Sequence, residues 1–157
     1  MEEPIYRKQF TLYGNDCDCF GRVKPATVLG FMQETAGEQC AAWHMSWEEM
    51  AEKGLFWGIT RQTVEVTRLP RVYETITIET WPMPATRVAY PRATVAYDAE
   101  GRELFRCIAL WILMDLRDTP EAFIAKSSKR SLRFPKVISE ARRIANGNAI
   151  GTIDIAA

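Results

Sequence analysis

The sequence predicts an α+β fold in which one long helix is wrapped by a curved antiparallel sheet of five or six strands. Three observations carry that expectation. Val28, Met32, Ala36, Cys40 and Trp43 recur at helical spacing, with Leu29 and Phe31 widening the stripe. From Leu55 onward the hydrophobic period changes to two, as strands require. Between the strand-like runs lie short segments with Pro, Gly and Asp, which suit an antiparallel arrangement of the strands.

Taken in order, IYRKQFTLY (5–13) alternates loosely and reads as a first strand. Residues 15–25 are a polar loop in which Gly21 permits backbone that other residues resist. Pro25 keeps Lys24 out of helical geometry and suits a first helical turn. A helix from there to Trp43 is about 27 Å long at 1.5 Å per residue. Its small residues Ala36, Gly37, Ala41 and Ala42 are expected to let it approach the sheet closely. Ser46 followed three residues later by Glu49 predicts a capping box, opening a short helix that ends at Gly54. LFWGITRQTVEVTRL, ETITIETW, roughly TRVAYPRATVAY, and ELFRCIALWILMDL then read as strands, with Asp98-Ala99-Glu100-Gly101 as the last turn. Pro91 implies an edge or a bulge. The apolar run Ile108–Met114 predicts a central strand covered on both faces. This order of elements is the hotdog arrangement, expected over residues 1–120. Residues 121–157 read as an extension or connector with a basic cluster (Lys126, Lys129, Arg130, Arg133, Lys136), a short helix ending at Gly147 and a final apolar segment. A single hotdog sheet leaves a strand edge open, so a homodimer or higher homo-oligomer is expected.

The chain has 157 residues, 47% hydrophobic and 25% charged, which suits one globular domain. Lys+Arg and Asp+Glu balance at 20 each, so no global field favours nucleic acid or an anionic membrane. No apolar run approaches a membrane span and MEEPIYRKQF is not a signal peptide, so the cytoplasm is the expected compartment. Cys17-x-Cys19 is too sparse for a zinc site, and His44 is the chain's single histidine. No metal or other cofactor is expected.

Four runs carry a family resemblance: DCDCFGRVKP, LGFMQETAGE, GLFWGITR and ETITIETWP. In order and spacing they resemble the first half of bacterial acyl-acyl carrier protein thioesterases, across roughly Tyr6 to Leu116. Single-domain hotdog thioesterases acting on acyl-CoA share the D-C-D-x-x-G loop. The resemblance implies hydrolysis of a fatty acyl thioester, on carrier protein or coenzyme A, to free fatty acid. It also implies a departure. The carrier-protein enzymes have two hotdog repeats and a catalytic Asp-x-Asn-x-His loop in the second. In register with that loop this chain has Asp18, Phe20 and Arg22. The alternative is therefore a non-catalytic hotdog that binds acyl chains or dimerises, with catalysis elsewhere.

The candidate catalytic residues are Asp18, Glu34 and Glu38. Thioester hydrolysis needs a carboxylate that attacks the carbonyl or activates water, and helix-start amides can hold the oxyanion. The resemblance to acyl-CoA hotdog enzymes puts their aspartate at Asp18; the same residue can equally build a turn or a cap. Glu34 and Glu38 share a helix face, where two like charges raise one pKa and favour a base, or which is solvated or ion-paired with Lys24 or Arg22. Phe20, Gly21, Arg22, Phe31, Trp57 and Trp81 are the candidate substrate-binding residues, as an apolar acyl tunnel or as core. His44 reads as a helix C-terminal residue. Cys17 and Cys19 lack an adjacent base.

Overall fold

The computed structural model describes residues 5–87 and 89–115. The described chain runs β1 (Tyr6–Thr11), α1 (Pro25–Ala42), α2 (Trp47–Glu52), β2 (Leu55–Val66), β3 (Thr75–Pro82), β4 (Tyr90–Tyr97) and β5 (Glu103–Asp115), with a 3-10 turn at Gly14–Asp16. Lys24 precedes α1 in extended backbone at φ −72° and ψ 139°, as a residue before proline must be. Pro25 then opens the helix where its missing N–H costs no helical bond. At α2, Ser46 Oγ accepts from Glu49 N at 3.2 Å, and the Glu49 carboxylate accepts from Ser46 N at 2.9 Å. This is the expected capping box, and Lys53 is its C-cap just before Gly54.

The strands form one antiparallel sheet in the order β1-β3-β4-β5-β2. The chain leaves one edge after β1, passes through both helices, and enters the opposite edge as β2. Val28 and Met32 of α1 pack on Ile76, Ile78, Ala96, Phe105 and Cys107 from the sheet face turned toward the helix. Each large apolar side chain buried there contributes roughly 1.5–3 kcal/mol. The opposite face carries a smaller cluster of Trp81, Ala93 and Val95. The five strands and one long helix match the expected hotdog architecture.

Three details differ from expectation. Of the small helix residues, Ala36 is buried, whereas Gly37, Ala41 and Ala42 are exposed. The buried stripe runs instead through Val28, Met32, Thr35, Ala36 and Gln39. Thr35 tolerates burial because its hydroxyl donates to Phe31 O at 2.7 Å. Pro91 does not mark an edge, since β4 lies between β3 and β5. It sits one residue beyond Pro82↔Arg92, the last β3–β4 pair, so its missing N–H falls at the end of that ladder. β5 is central, but its faces are unequal: Cys107, Ala109 and Leu113 are buried, while Ile108, Leu110, Ile112 and Met114 are half-buried. The basic cluster, the later helix, the final segment and the boundary near residue 120 lie outside the described residues.

Candidate functional site

The loop before α1 is built around Asp18. Its backbone N–H donates to Arg22 O at 2.7 Å, and Gly21 N donates to Asp18 O at 3.0 Å. Gly21 sits at φ 70°, the left-handed region that this turn requires and a Cβ disfavours. The Asp18 carboxylate fills the turn. Oδ1 accepts from Phe20 N and Arg22 N, both at 2.9 Å, and Oδ2 accepts from Arg22 Nε at 3.1 Å. The Arg22 backbone N–H above all, with the Phe20 N–H and the Arg22 side chain, holds this carboxyl below the usual aspartate range. The turn is tied to the segment before β3: Val72 N donates to Gly21 O at 3.0 Å and Val23 N to Pro70 O at 2.9 Å. Phe20 is exposed, with the Arg22 guanidinium 5.1 Å from its ring centroid. Asp18 does not cap the helix; Lys24 occupies the N-cap without a side-chain bond.

Glu34 and Glu38 do share a face, and the cation between them is Lys8 from β1 rather than Lys24 or Arg22. Lys8 Nζ donates to Glu34 Oε1 and Glu38 Oε1, each at 2.5 Å, and the Tyr6 hydroxyl donates to Glu38 Oε2 at 3.0 Å. The Lys8 bond holds Glu38 below the usual glutamate range, so the paired acids do not raise its pKa. The hydrogen bonds to Glu34 and then to Glu38 lift Lys8 to about 12. Phe31 stacks on Phe10 at 4.2 Å between centroids. These contacts turn Phe31, Glu34 and Glu38 toward β1.

The other flank of α1 borders a groove of about 530 Å³, well within the roughly 300–1,000 Å³ typical of small-molecule sites. Its walls are Gly37 and Cys40 from α1, Trp57 and Ile59 from β2, Trp111 from β5, and Tyr90 from β4. Trp57 meets Tyr90 edge to face at 5.2 Å, and burial pushes the Tyr90 phenol up. Arg92 is the one charged residue lining the groove among the described residues. It is 8% exposed, and burial pulls its guanidinium below the ordinary arginine value. It donates to Gln39 Oε1 at 2.6 Å, Thr80 Oγ1 at 3.3 Å and Cys40 Sγ at 3.8 Å.

Among the residues singled out from sequence, Trp57 reaches this groove. Asp18, Phe20, Gly21, Arg22, Phe31, Glu34, Glu38 and Trp81 do not line it. Trp81 is buried in the cluster on the sheet face away from α1, because alternation along β3 turns Ile76 and Ile78 to one side and Trp81 to the other. Arg92, Tyr90 and Trp111 were not singled out; the one available signal was an arginine inside the otherwise apolar run AYPRATVAY. Cys17 is buried, and that burial pushes its thiol up, away from a reactive thiolate. His44 is exposed, with Nδ1 3.4 Å from Glu49 Oε1. Among the described residues no three His, Cys, Asp or Glu side chains come together to hold a metal ion.

Comparison with known proteins bears on the fold and the family. The model of the acyl-ACP thioesterase N-terminal domain matches residues 3–125. The chain is 24% identical over 118 residues to a chloroplastic palmitoyl-acyl carrier protein thioesterase of Gossypium hirsutum, covering 71% of this chain and 29% of that protein. An Arabidopsis thaliana protein of the same description is also 24% identical, with the same coverage of each chain. The chain therefore spans less than a third of these relatives. Among solved structures, an acyl-ACP thioesterase from Bacteroides thetaiotaomicron superposes with a TM-score of 0.68 at 20% identity, covering 72% of this chain and 46% of that one. A DHNA-CoA thioesterase from Staphylococcus aureus superposes with a TM-score of 0.74 at 12% identity, covering 94% and 97%. Both likenesses concern the fold. With the family model matched across most of its length, the chain belongs to the acyl-ACP thioesterase N-terminal domain family.

Proposed function

We propose that this chain serves the hydrolysis of fatty acyl thioesters, in which water cleaves the acyl–sulfur bond to give free fatty acid and a carrier-protein or coenzyme A thiol. Its own part is to hold the acyl chain in the groove between α1 and the β2 end of the sheet. The observation that carries this reading is the groove itself, apolar on most of its wall and of ligand size. The family supports a thioester substrate.

Of the two roles open to Asp18, turn builder fits its surroundings better than catalyst. Its oxygens already accept three hydrogen bonds from the turn, and among the described residues none that lines the groove is an acid. This favours the reading in which the groups that activate water are supplied from outside the described residues. The outer edge of β2 has no strand partner among the described residues and lies beside the groove, which supports assembly with a second hotdog unit or a second copy. No helix of the described residues is long and apolar enough to cross a membrane. A cytoplasmic location belongs to the same proposal.

Calorimetric titration with dodecanoyl-CoA and dodecanoyl-carrier protein tests it. Gly37 lines the groove, and a Cβ built there meets nothing within 4 Å, so Gly37→Leu places a side chain in the groove without a backbone clash. The expected result is saturable binding to the wild-type chain, weakened at least about tenfold in Gly37→Leu. Binding that is absent, or unaltered by Gly37→Leu, contradicts the proposal.

A further inference from the structure

The groove has a charge its apolar walls do not explain. Arg92 lies on β4 with its side chain on the helix face of the sheet, between Gln39 and Cys40 of α1 and Thr80 of β3. Its partners among the described residues are an amide oxygen, a hydroxyl and a thiol. The Thr80 hydroxyl donates to Ala93 O at 2.9 Å, which leaves its oxygen free to accept from Arg92. Neutral acceptors solvate a guanidinium without neutralising it, and a buried cation in apolar surroundings is costly unless an anion joins it. None of the carboxylates that pair with arginines elsewhere in the described residues (Asp18, Glu74, Glu79, Asp98, Glu100, Glu103) reaches Arg92.

We infer that Arg92 is a carboxylate-recognising residue, so that the groove binds a fatty acid anion in preference to an uncharged chain of the same length. The planar fork of a guanidinium matches a carboxylate and forms charge-assisted hydrogen bonds with it. Trp57, Ile59 and Trp111 offer apolar surface for the alkyl chain. This rests on the acyl-groove reading above and goes beyond it: the free acid released by hydrolysis, having gained a full negative charge, is held more tightly than a neutral chain. Product retention and inhibition by free fatty acid follow.

The test compares decanoate with decanol at neutral pH, by calorimetry, on the 157-residue chain and on Arg92→Met. The wild-type chain should bind decanoate tighter by about tenfold or more, the worth of a charged hydrogen bond. Arg92→Met should bring the two affinities together while circular dichroism stays unchanged. A second measurement needs no variant. The 13C-carboxyl resonance of labelled decanoate, titrated in the wild-type complex, should show a pKa below that of the free acid. Equal affinities for decanoate and decanol, or a bound carboxyl pKa at or above the free value, overturn the role of Arg92 and leave the groove reading standing. Failure of both ligands to bind overturns the groove reading as well.

Discussion

Two turns in this molecule share the pattern Asp-x-x-Gly-Arg. Asp18-Cys19-Phe20-Gly21-Arg22 precedes α1, and Asp98-Ala99-Glu100-Gly101-Arg102 joins β4 to β5. In each, Asp Oδ1 accepts from the amides two and four residues later: 2.9 and 2.9 Å at Asp18, 3.0 and 2.8 Å at Asp98. In each, Oδ2 accepts from the arginine Nε, at 3.1 Å and 2.8 Å. In each, the glycine has positive φ, 70° and 77°. What differs is the setting. The Asp98 side chain is 5% exposed and also pairs with Arg68 at 3.5 Å, whereas that of Asp18 is 32% exposed and makes no second ion pair among the described residues. A hairpin connection with no proposed chemistry thus reproduces every hydrogen bond that the Asp18 carboxylate makes. The geometry of Asp18 is accounted for by turn formation alone.

That equivalence can be broken, and the largest effect is expected at Asp98. Asp98→Ala removes the acceptor of two backbone amides and leaves Arg102 with Glu100 alone, while Arg68 loses one of its carboxylate partners. Urea denaturation should show a greater loss than Asp18→Ala; the reverse order would mean that the loop before α1 carries a burden the hairpin does not. Next come the glycines. Gly21→Ala and Gly101→Ala should each cost about 1–2 kcal/mol, since both force a Cβ into the left-handed region. Their urea midpoints should fall alike, and tolerance of alanine at either one would separate the turns. The carboxylates give a smaller, pH-dependent effect. Both aspartates are held below their usual pKa, so their stabilisation is full above the unfolded value of about 3.9 and is lost as pH falls through the lower folded value. Asp18→Asn and Asp98→Asn should each flatten the decline of the urea midpoint on acidification from pH 5. A variant whose acid limb matches wild type would contradict the ion pairs. Smallest is Phe20→Glu, which copies the hairpin sequence into the loop. Phe20 is 69% exposed, so the midpoint should move by no more than about 0.5 kcal/mol in free energy.

The same comparison explains what was legible in the sequence. Helix boundaries were, because Pro25 after Lys24 and Ser46 before Glu49 act through local backbone chemistry. The sheet was, because the period of two in ETITIETW is a local property; it correctly buries Ile76 and Ile78 together. Asp98-Ala99-Glu100-Gly101 reads as a turn without assistance, yet the same pattern at Asp18 attracts chemistry once a family resemblance is attached to it. The groove was not legible. Trp57, Tyr90, Arg92 and Trp111 come from three strands, and only the registers Tyr90↔Trp111 and Ile59↔Trp111 bring them to one end of the sheet. Trp57 and Trp81 look alike in sequence; the face that the helix covers separates them, and that is set by packing across the whole sheet. Glu34 and Glu38 share a face as their spacing demands, but the spacing says nothing of Lys8, which arrives from β1.

In the proposed function, Asp18 builds a turn and the groove does the binding. Asp18→Asn tests it most directly, because the amide oxygen retains the capacity to accept from Phe20 N and Arg22 N while the carboxylate is lost. The measurement is the rate of dodecanoyl-carrier protein hydrolysis per folded molecule, beside wild type under the same conditions. The account predicts rates within about threefold of each other. A fall of about a hundredfold or more with unchanged circular dichroism, the loss expected on removing a general base, would contradict it.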